Sequence, residues 1–227
     1  MYIVFHSHQD IVDLIHSVIS PDGTTIAFTY KGDIYTVPVA GGRAMQITTN
    51  PAYDTAPVWS PDSKRIAFAS DRMGSLDVYI VAKDGGEPRR LTTHSGSETP
   101  LAFTDAGHVL FSAGIMPSAE AVVFPSNGQF NQVYRVSVEG GRPTMISSMP
   151  MECISINKEG AMLYQDKKGY EDYWRKHHVS PIARDIWMYT PGKEPQYRQL
   201  TTFGGEDREP VWAPDGKTFY YLSEENG

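Results

Sequence analysis

The chain has 227 residues, 40% of them hydrophobic, with 20 Lys and Arg against 27 Asp and Glu and a formal net charge of −7. That length supports a substantial buried core, and the negative balance without any basic block argues against nucleic acid or an anionic membrane as partner. The single cysteine, Cys153, excludes an internal disulfide and a Cys-based zinc site, and no apolar run reaches the ~18–20 residues of a membrane-spanning helix.

Residues 1–17 are the least legible segment. Tyr2-Ile3-Val4-Phe5 reads as a strand able to complete a sheet built elsewhere, and residues 11–16 read as a helical turn or a second strand. His6-Ser7-His8-Gln9-Asp10 places two imidazoles on one face of an extended segment beside a carboxylate, the beginning of a metal site. Zinc needs three or four converging ligands, and no later motif completes the set. No metal or other cofactor is therefore expected, and these histidines read as surface residues near a terminus. Residues 1–5 are too short an apolar run for a signal peptide, which leaves the compartment open.

From Val18 onward the chain repeats one unit. In Pro57-Val58-Trp59-Ser60-Pro61-Asp62-Ser63-Lys64-Arg65-Ile66-Ala67-Phe68, Pro61 presets the turn, Ser60 and Asp62 can bond nearby backbone, and the flanking apolar runs are too short and too β-branched or aromatic for helices. The same strand, turn and strand recur around Ser20-Pro21-Asp22-Gly23 and Ala213-Pro214-Asp215-Gly216, and more weakly at Thr104-Asp105-Ala106-Gly107 and Asn157-Lys158-Glu159-Gly160. Equivalent positions Asp22, Asp62, Ala106, Glu159 and Asp215 are spaced by 40, 44, 53 and 56 residues.

Each unit but the last continues with a polar residue that opens a third strand: Asp33-Ile34-Tyr35, Asp77-Val78-Tyr79, Gln132-Val133-Tyr134 and Asp185-Ile186-Trp187. Asp33, Asp77 and Asp185 read as acceptors that tie backbone at strand starts. A fourth strand ends in Gln46-Ile47-Thr48-Thr49, Arg90-Leu91-Thr92-Thr93, Met145-Ile146-Ser147-Ser148 or Gln199-Leu200-Thr201-Thr202. Four short antiparallel strands repeated at this period indicate an all-β fold, a β-propeller of four-stranded blades, with units at 18–49, 58–93, 100–148, 151–202 and 210–227. The last is incomplete, so about four and a half blades are present. Residues 1–17 become a candidate ring-closing segment, and the chain reads as a fragment of a longer protein. Near-continuous apolar runs suit blades buried on both faces, and Cys153, in the first strand of the fourth unit, reads as a buried small hydrophobe.

Arg72 reads either as a channel-facing ligand contact or as an ion-pair partner to a neighbouring blade, with structure favoured. Two units carry insertions between their second and third strands, over residues 114–130 and 167–184. Loops inserted at equivalent points emerge on one side of a propeller. In the second of them Tyr170, Tyr173 and Trp174 supply amphipathic area, and Arg175, His177, His178 and Arg184 supply donors, a set suited to peptide or protein contact. Self-packing on the rim is the alternative. The densest basic cluster, Arg175-Lys176-His177-His178, is short and flanked by Glu171 and Asp172, and reads as solvated.

The stretch from Trp59 to Arg72, with Asp-x-Tyr and Leu-Thr-Thr, resembles the TolB-type propeller repeat shared by TolB, tricorn proteases and the propellers of prolyl oligopeptidase-like enzymes. Residues 20–35, and Tyr170-Glu171-Asp172-Tyr173-Trp174-Arg175-Lys176-His177-His178 running to Arg184-Asp185-Ile186-Trp187, look most like bacterial tricorn-like peptidases. That resemblance implies the first propeller of such a protein, six-bladed, gating or guiding peptides ahead of a second propeller and a serine peptidase domain with a PDZ module. It also suggests an envelope location, although related proteins usually carry an export signal. No catalytic residue can be carried over: there is no Gly-x-Ser-x-Gly elbow, and Ser95-Gly96-Ser97 falls in an inter-blade loop. A non-catalytic gating propeller is thus the leading expectation, with peptides, a protein partner or a second copy as what it contacts. A TolB-like interaction module is the alternative from another class. A propeller-borne hydrolase would need a metal or carboxylate cluster at the central channel.

Overall fold

The computed structural model describes residues 14–114, 131–168 and 180–225. These residues form β-strands in five antiparallel sheets, taken strictly in chain order. The first holds β1 (Leu14–Ile19), β2 (Thr25–Tyr30), β3 (Asp33–Pro38) and β4 (Met45–Gln46); the second β5 (Asp54–Trp59), β6 (Arg65–Ser70), β7 (Asp77–Ala82) and β8 (Arg89–Arg90). The third holds β9 (Glu98–Asp105), β10 (His108–Ala113), β11 (Gln132–Ser137) and β12 (Thr144–Ser147), and the fourth β13 (Met151–Ile156), β14 (Met162–Asp166), β15 (Ile186–Thr190) and β16 (Gln196–Gln199). A hairpin of β17 (Asp207–Trp212) and β18 (Phe219–Ser223) is the fifth. These are propeller blades. They fall into two compact units, the first three sheets in one and the last two in the other. Within each unit the opening strands pack on one another, β1 on β5, β5 on β9 and β13 on β17, which makes the opening strand the innermost of its blade.

The turn chemistry explains the first hairpin. Ser20 Oγ donates to Asp22 Oδ1 at 2.6 Å and accepts the Thr25 N–H at 3.0 Å, while Asp22 Oδ1 also takes the Thr24 N–H. Ser60, Asp62, Lys64 and Arg65 repeat this arrangement. With the Ser20 hydroxyl as the largest contributor, these bonds hold the Asp22 carboxyl down at about 2. The fourth turn position is left-handed. Gly23 and Gly216 adopt it freely, whereas Ser63 does so at φ 57° and uses its hydroxyl to accept the Asp22 N–H of the preceding blade.

The Leu-Thr-Thr segment ends the blade in a way that differs from a full fourth strand. Ile47 and Thr48 both direct their N–H to the Ile34 carbonyl, at 2.8 and 3.4 Å, so the ladder stops after Met45–Gln46. The Thr48 hydroxyl then accepts the Ile34 N–H, as Thr92 does for Val78 and Thr201 for Ile186. The strand-opening acids also differ from expectation. Instead of tying backbone, Asp33 accepts from the Gln46 amide and the Thr48 hydroxyl, Asp185 from the Gln199 amide, and Asp77 pairs with Arg90 at 2.8 Å. The fourth strand lies directly opposite, and its long polar side chains reach the carboxylate before any free N–H does.

Aromatic pairs explain the tyrosine of Asp-x-Tyr. Phe28 stacks on Tyr35, Phe68 on Tyr79 and Phe111 on Tyr134, with centroids 5.6–5.9 Å apart, each pair joining a second strand to a third. The second sheet is buried on both faces. Ile66, Phe68 and Val81 pack with Ile34 and Trp59 on one side, and Ala67, Val78 and Ile80 with Val109 and Phe111 on the other. In the β17–β18 hairpin the positions of Ala67 and Ala69 belong to Tyr220 and Leu222, which are 70% and 57% exposed.

β1 opens at Leu14, four residues ahead of Val18, and it bulges. His16, Ala56, Cys153 and Glu209 occupy the third position of β1, β5, β13 and β17 with φ between 51° and 53°, and each pairing slips register there. The bulge corrects the reading of Cys153. It breaks the strand's alternation and turns the residue outward, so Cys153 is exposed and not buried.

Candidate functional site

Both insertions leave the fold at the same topological point, between second and third strands: residues 115–130 join β10 to β11, and residues 169–179 lie between β14 and β15. The contact residues expected from sequence, Tyr173, Trp174, Arg175, His177 and His178, fall with Tyr170 outside the described residues, as do His6, His8 and Asp10. What the structure describes is the stem that carries the second insertion.

That stem is clamped. Lys168 Nζ donates to the Ala183 carbonyl at 2.8 Å and to the Asp185 carboxylate, closing the two ends of the loop on each other. Lys167 pairs with Glu152 at 3.0 Å, and Gln165 Nε2 donates to the same carboxylate. Burial alone would raise Glu152, but Lys167, Gln165 and Arg184 outweigh it and hold the carboxyl below its usual range. Arg184, expected as a free donor for peptide, is instead engaged by the chain's own acids, 3.4 Å from Glu206 and 3.5 Å from Glu152. Burial raises the Asp166 carboxyl, although the Asp185 N–H and the Trp187 indole N–H that it accepts, with Lys168 nearby, pull it down in part. The arrangement fastens Lys168 to the Ala183–Asp185 segment across the insertion.

In the other unit the same strand ends carry buried acid and cation groups. Arg72 Nη2 donates to both Asp54 oxygens at 2.9 and 3.0 Å, with its guanidinium 4.6 Å from the Tyr79 ring centre and 5.6 Å from that of Phe68. Its partner belongs to its own blade, and its role is structural. A hollow of about 230 Å³ opens beside it, lined by Thr48, Asn50, Arg72 and Glu87 among others. A wider groove of about 650 Å³ runs along β3 and β4, past Tyr35, Val37, Arg43, Met45, Lys83 and Asp84. Among the described residues no three His, Cys, Asp or Glu side chains are placed to hold a metal, and no helix is long and apolar enough to cross a membrane.

Sequence reading missed the repeated acid that opens the innermost strand. Asp54, Glu98 and Asp207 stand five residues before Trp59, Phe103 and Trp212 and are buried, a constant offset visible in the sequence. It also missed the bulge, whose four residues share no chemistry. At Cys153 the bulge has a measurable consequence. Protein crowded around the thiol withdraws solvent and, with Glu209 and Glu152 beside it, pushes the pKa up to about 11, although the residue is exposed. Alkylation by iodoacetamide at pH 7.5 is expected to run at least about tenfold slower than for free cysteine and to keep rising through pH 10, and Glu209→Gln is expected to speed it. A rate that levels off near pH 8.5 would show an ordinary thiol.

Comparison with known proteins places this architecture. The family model described as the tricorn protease N-terminal beta propeller domain matches residues 14–227. Tricorn protease homolog 1 of Streptomyces coelicolor is 24% identical over 208 residues, 91% of this chain and 18% of that protein. The uncharacterized peptidase YuxL of Bacillus subtilis is 31% identical over 219 residues, 91% of this chain and 29% of its own length. The chain therefore spans less than a third of these relatives. Among solved structures, a TolB from Agrobacterium tumefaciens superposes with a TM-score of 0.69 at 17% identity, covering 92% of this chain and 69% of that one, and the tricorn protease with 0.67 at 17%, covering 92% and 22%. Those two likenesses show the fold. With the family model matching residues 14–227 of the 227, the chain belongs to the tricorn protease N-terminal beta propeller domains.

Proposed function

We propose that this propeller is a non-catalytic guide for peptides, delivering them to a serine peptidase domain of the same protein. The supporting observation is the pair of insertions at one topological position, the second of them held by the clamp of Lys167, Lys168 and Arg184 on Glu152, Asp185 and Glu206. The clamp ties the two ends of this insertion together, and preorganisation of that kind lowers the entropic cost of binding. Tyr173 and Trp174 supply the apolar area, and Arg175, His177 and His178 the donors to peptide carbonyl and carboxylate groups. The relatives named as tricorn protease homologues support the peptidase context.

Fluorescence anisotropy with a mixture of labelled 8–15-residue peptides, sizes of about that order being enough to span a loop surface, tests this reading. Wild-type chain is expected to bind, and Tyr173→Ala with Trp174→Ala to weaken binding roughly tenfold or more while the melting temperature is unchanged. Equal binding by the double variant would remove the insertion from the site. A folded protein binding where peptides do not would mark a TolB-like interaction module instead.

A further inference from the structure

We propose that Glu98, buried with Asp77 at the junction of the second and third sheets, carries a proton there, so that this junction is tight in mild acid and loosens as the medium turns neutral. Both carboxyl groups are fully buried. β7 and β9 are tied at this point by the Glu98 N–H, which donates to the Leu76 carbonyl at 2.7 Å. Yet none of the four carboxylate oxygens of Asp77 and Glu98 meets a well-directed hydrogen-bond donor. One cation serves the two acids: Arg90 Nη2 lies 2.8 Å from Asp77, in ion-pair range.

The corresponding junction between the first and second sheets is supplied differently. There Asp54 takes two bonds from Arg72, and Asp33 takes one each from Gln46 and Thr48. Glu98 stands where Asp54 and Asp207 stand in their blades, with one methylene more to carry its carboxyl inward. A proton taken from bulk water turns Glu98 into an O–H donor beside carboxylate oxygens that have no partner in hydrogen-bond geometry, and removes the excess negative charge.

The groups facing Glu98 are Asp77 on β7, Arg90 on β8, and the Thr92 hydroxyl and His94 backbone that follow β8. The Thr92 hydroxyl, which accepts the Val78 N–H and keeps its own proton to donate, and the His94 backbone N–H favour the ionised carboxyl, but neither meets a Glu98 oxygen in hydrogen-bond geometry. On β5 and β6, also packed on β9, Asp54 is engaged by Arg72 and Arg65 donates to the Ala106 carbonyl, while on β10 His108 pairs with Asp105. Burial pushes the Glu98 carboxyl up from 4.5 to about 7, and Asp77 adds to it, with Thr92, Arg90 and His94 offsetting part. The sign follows from linkage. Below pH 4.5 folded and unfolded chains are both protonated at this site. Between 4.5 and 7 only the unfolded chain ionises, so stability falls, and above 7 the loss is complete.

Amide hydrogen exchange across β7, β9 and β10, corrected for the intrinsic rate, reads this directly. The opening constant of the wild-type chain is expected to rise about 70-fold from pH 5 to pH 8, and that of Glu98→Gln less than about threefold. His16, whose pKa burial lowers, acts with the opposite sign and is common to both chains. An equal rise in the variant, or none in the wild type, would overturn the proposal. Should Glu98→Gln not fold, carboxyl ¹³C resonances of the labelled wild-type chain decide. One glutamate is expected to titrate near pH 7, and a full set titrating below about pH 5.5, near the ordinary range, would refute it.

Discussion

Phe68→Ala is expected to destabilise the chain by about 3–5 kcal/mol, among the largest effects of any single side chain. Phe68 is fully buried, packs with Ile34, Trp59 and Ile66 across the first and second blades, and stacks on Tyr79 at 5.9 Å. Its β-strand is hydrogen-bonded on both sides, to β5 and β7, so neither neighbour can move in to fill the space. Truncation therefore loses both the transfer free energy and the contacts around the cavity. Phe68→Leu, which keeps most of the volume, is expected to cost about 1–1.5 kcal/mol by the same reasoning. Urea denaturation checks both: a midpoint for Phe68→Ala within experimental error of the wild type would mean that this interface is not packed as described.

Arg72→Ala is expected to cost a comparable amount, about 3–5 kcal/mol, for a different reason. Asp54 has no exposed side-chain surface and depends on one guanidinium for two hydrogen bonds. Without it a carboxylate is stranded in the interior, and the faces of Phe68 and Tyr79 lose the planar cation lying over them. Arg72→Lys should not rescue, because an ammonium cannot bond both oxygens while stacking on two rings. Adding Asp54→Asn to Arg72→Ala should recover part of the loss, since the stranded charge is then gone. Denaturation of the two single variants and the double variant measures this coupling. Purely additive effects would mean that the pair is solvated and contributes little.

The repeat was legible because its chemistry is local. Ser60, Pro61 and Asp62 make their turn from bonds between residues at most five apart, and any stretch with the same side chains makes it again. Burial of whole blades was legible from apolar runs such as Ile66-Ala67-Phe68, which alternate too little for a half-solvated sheet. The roles of Asp33, Asp77 and Asp185 were only half legible. Their position was evident, but their partners Gln46, Arg90 and Gln199 lie 13 or 14 residues away and meet them only once β3, β7 and β15 have paired with the fourth strands. The bulge was not legible, because His16, Ala56, Cys153 and Glu209 are placed by the backbone path and not by a residue type. Cys153 was misread for that reason: alternation along a strand predicts burial only while the alternation continues. Of the candidate site, the chain position of the insertion was legible. Its anchorage was not, since Lys167 and Arg184 converge on Glu152 through contacts that span the fourth sheet.

Incubating the purified chain with a defined peptide mixture, followed by mass spectrometry of the bound and free fractions, tests the proposed guiding role most directly. Recovery of bound peptides at their original masses is the result expected of a propeller that guides substrate and leaves the chemistry to another domain. Appearance of cleaved fragments, suppressed by a serine-directed inhibitor, would contradict it.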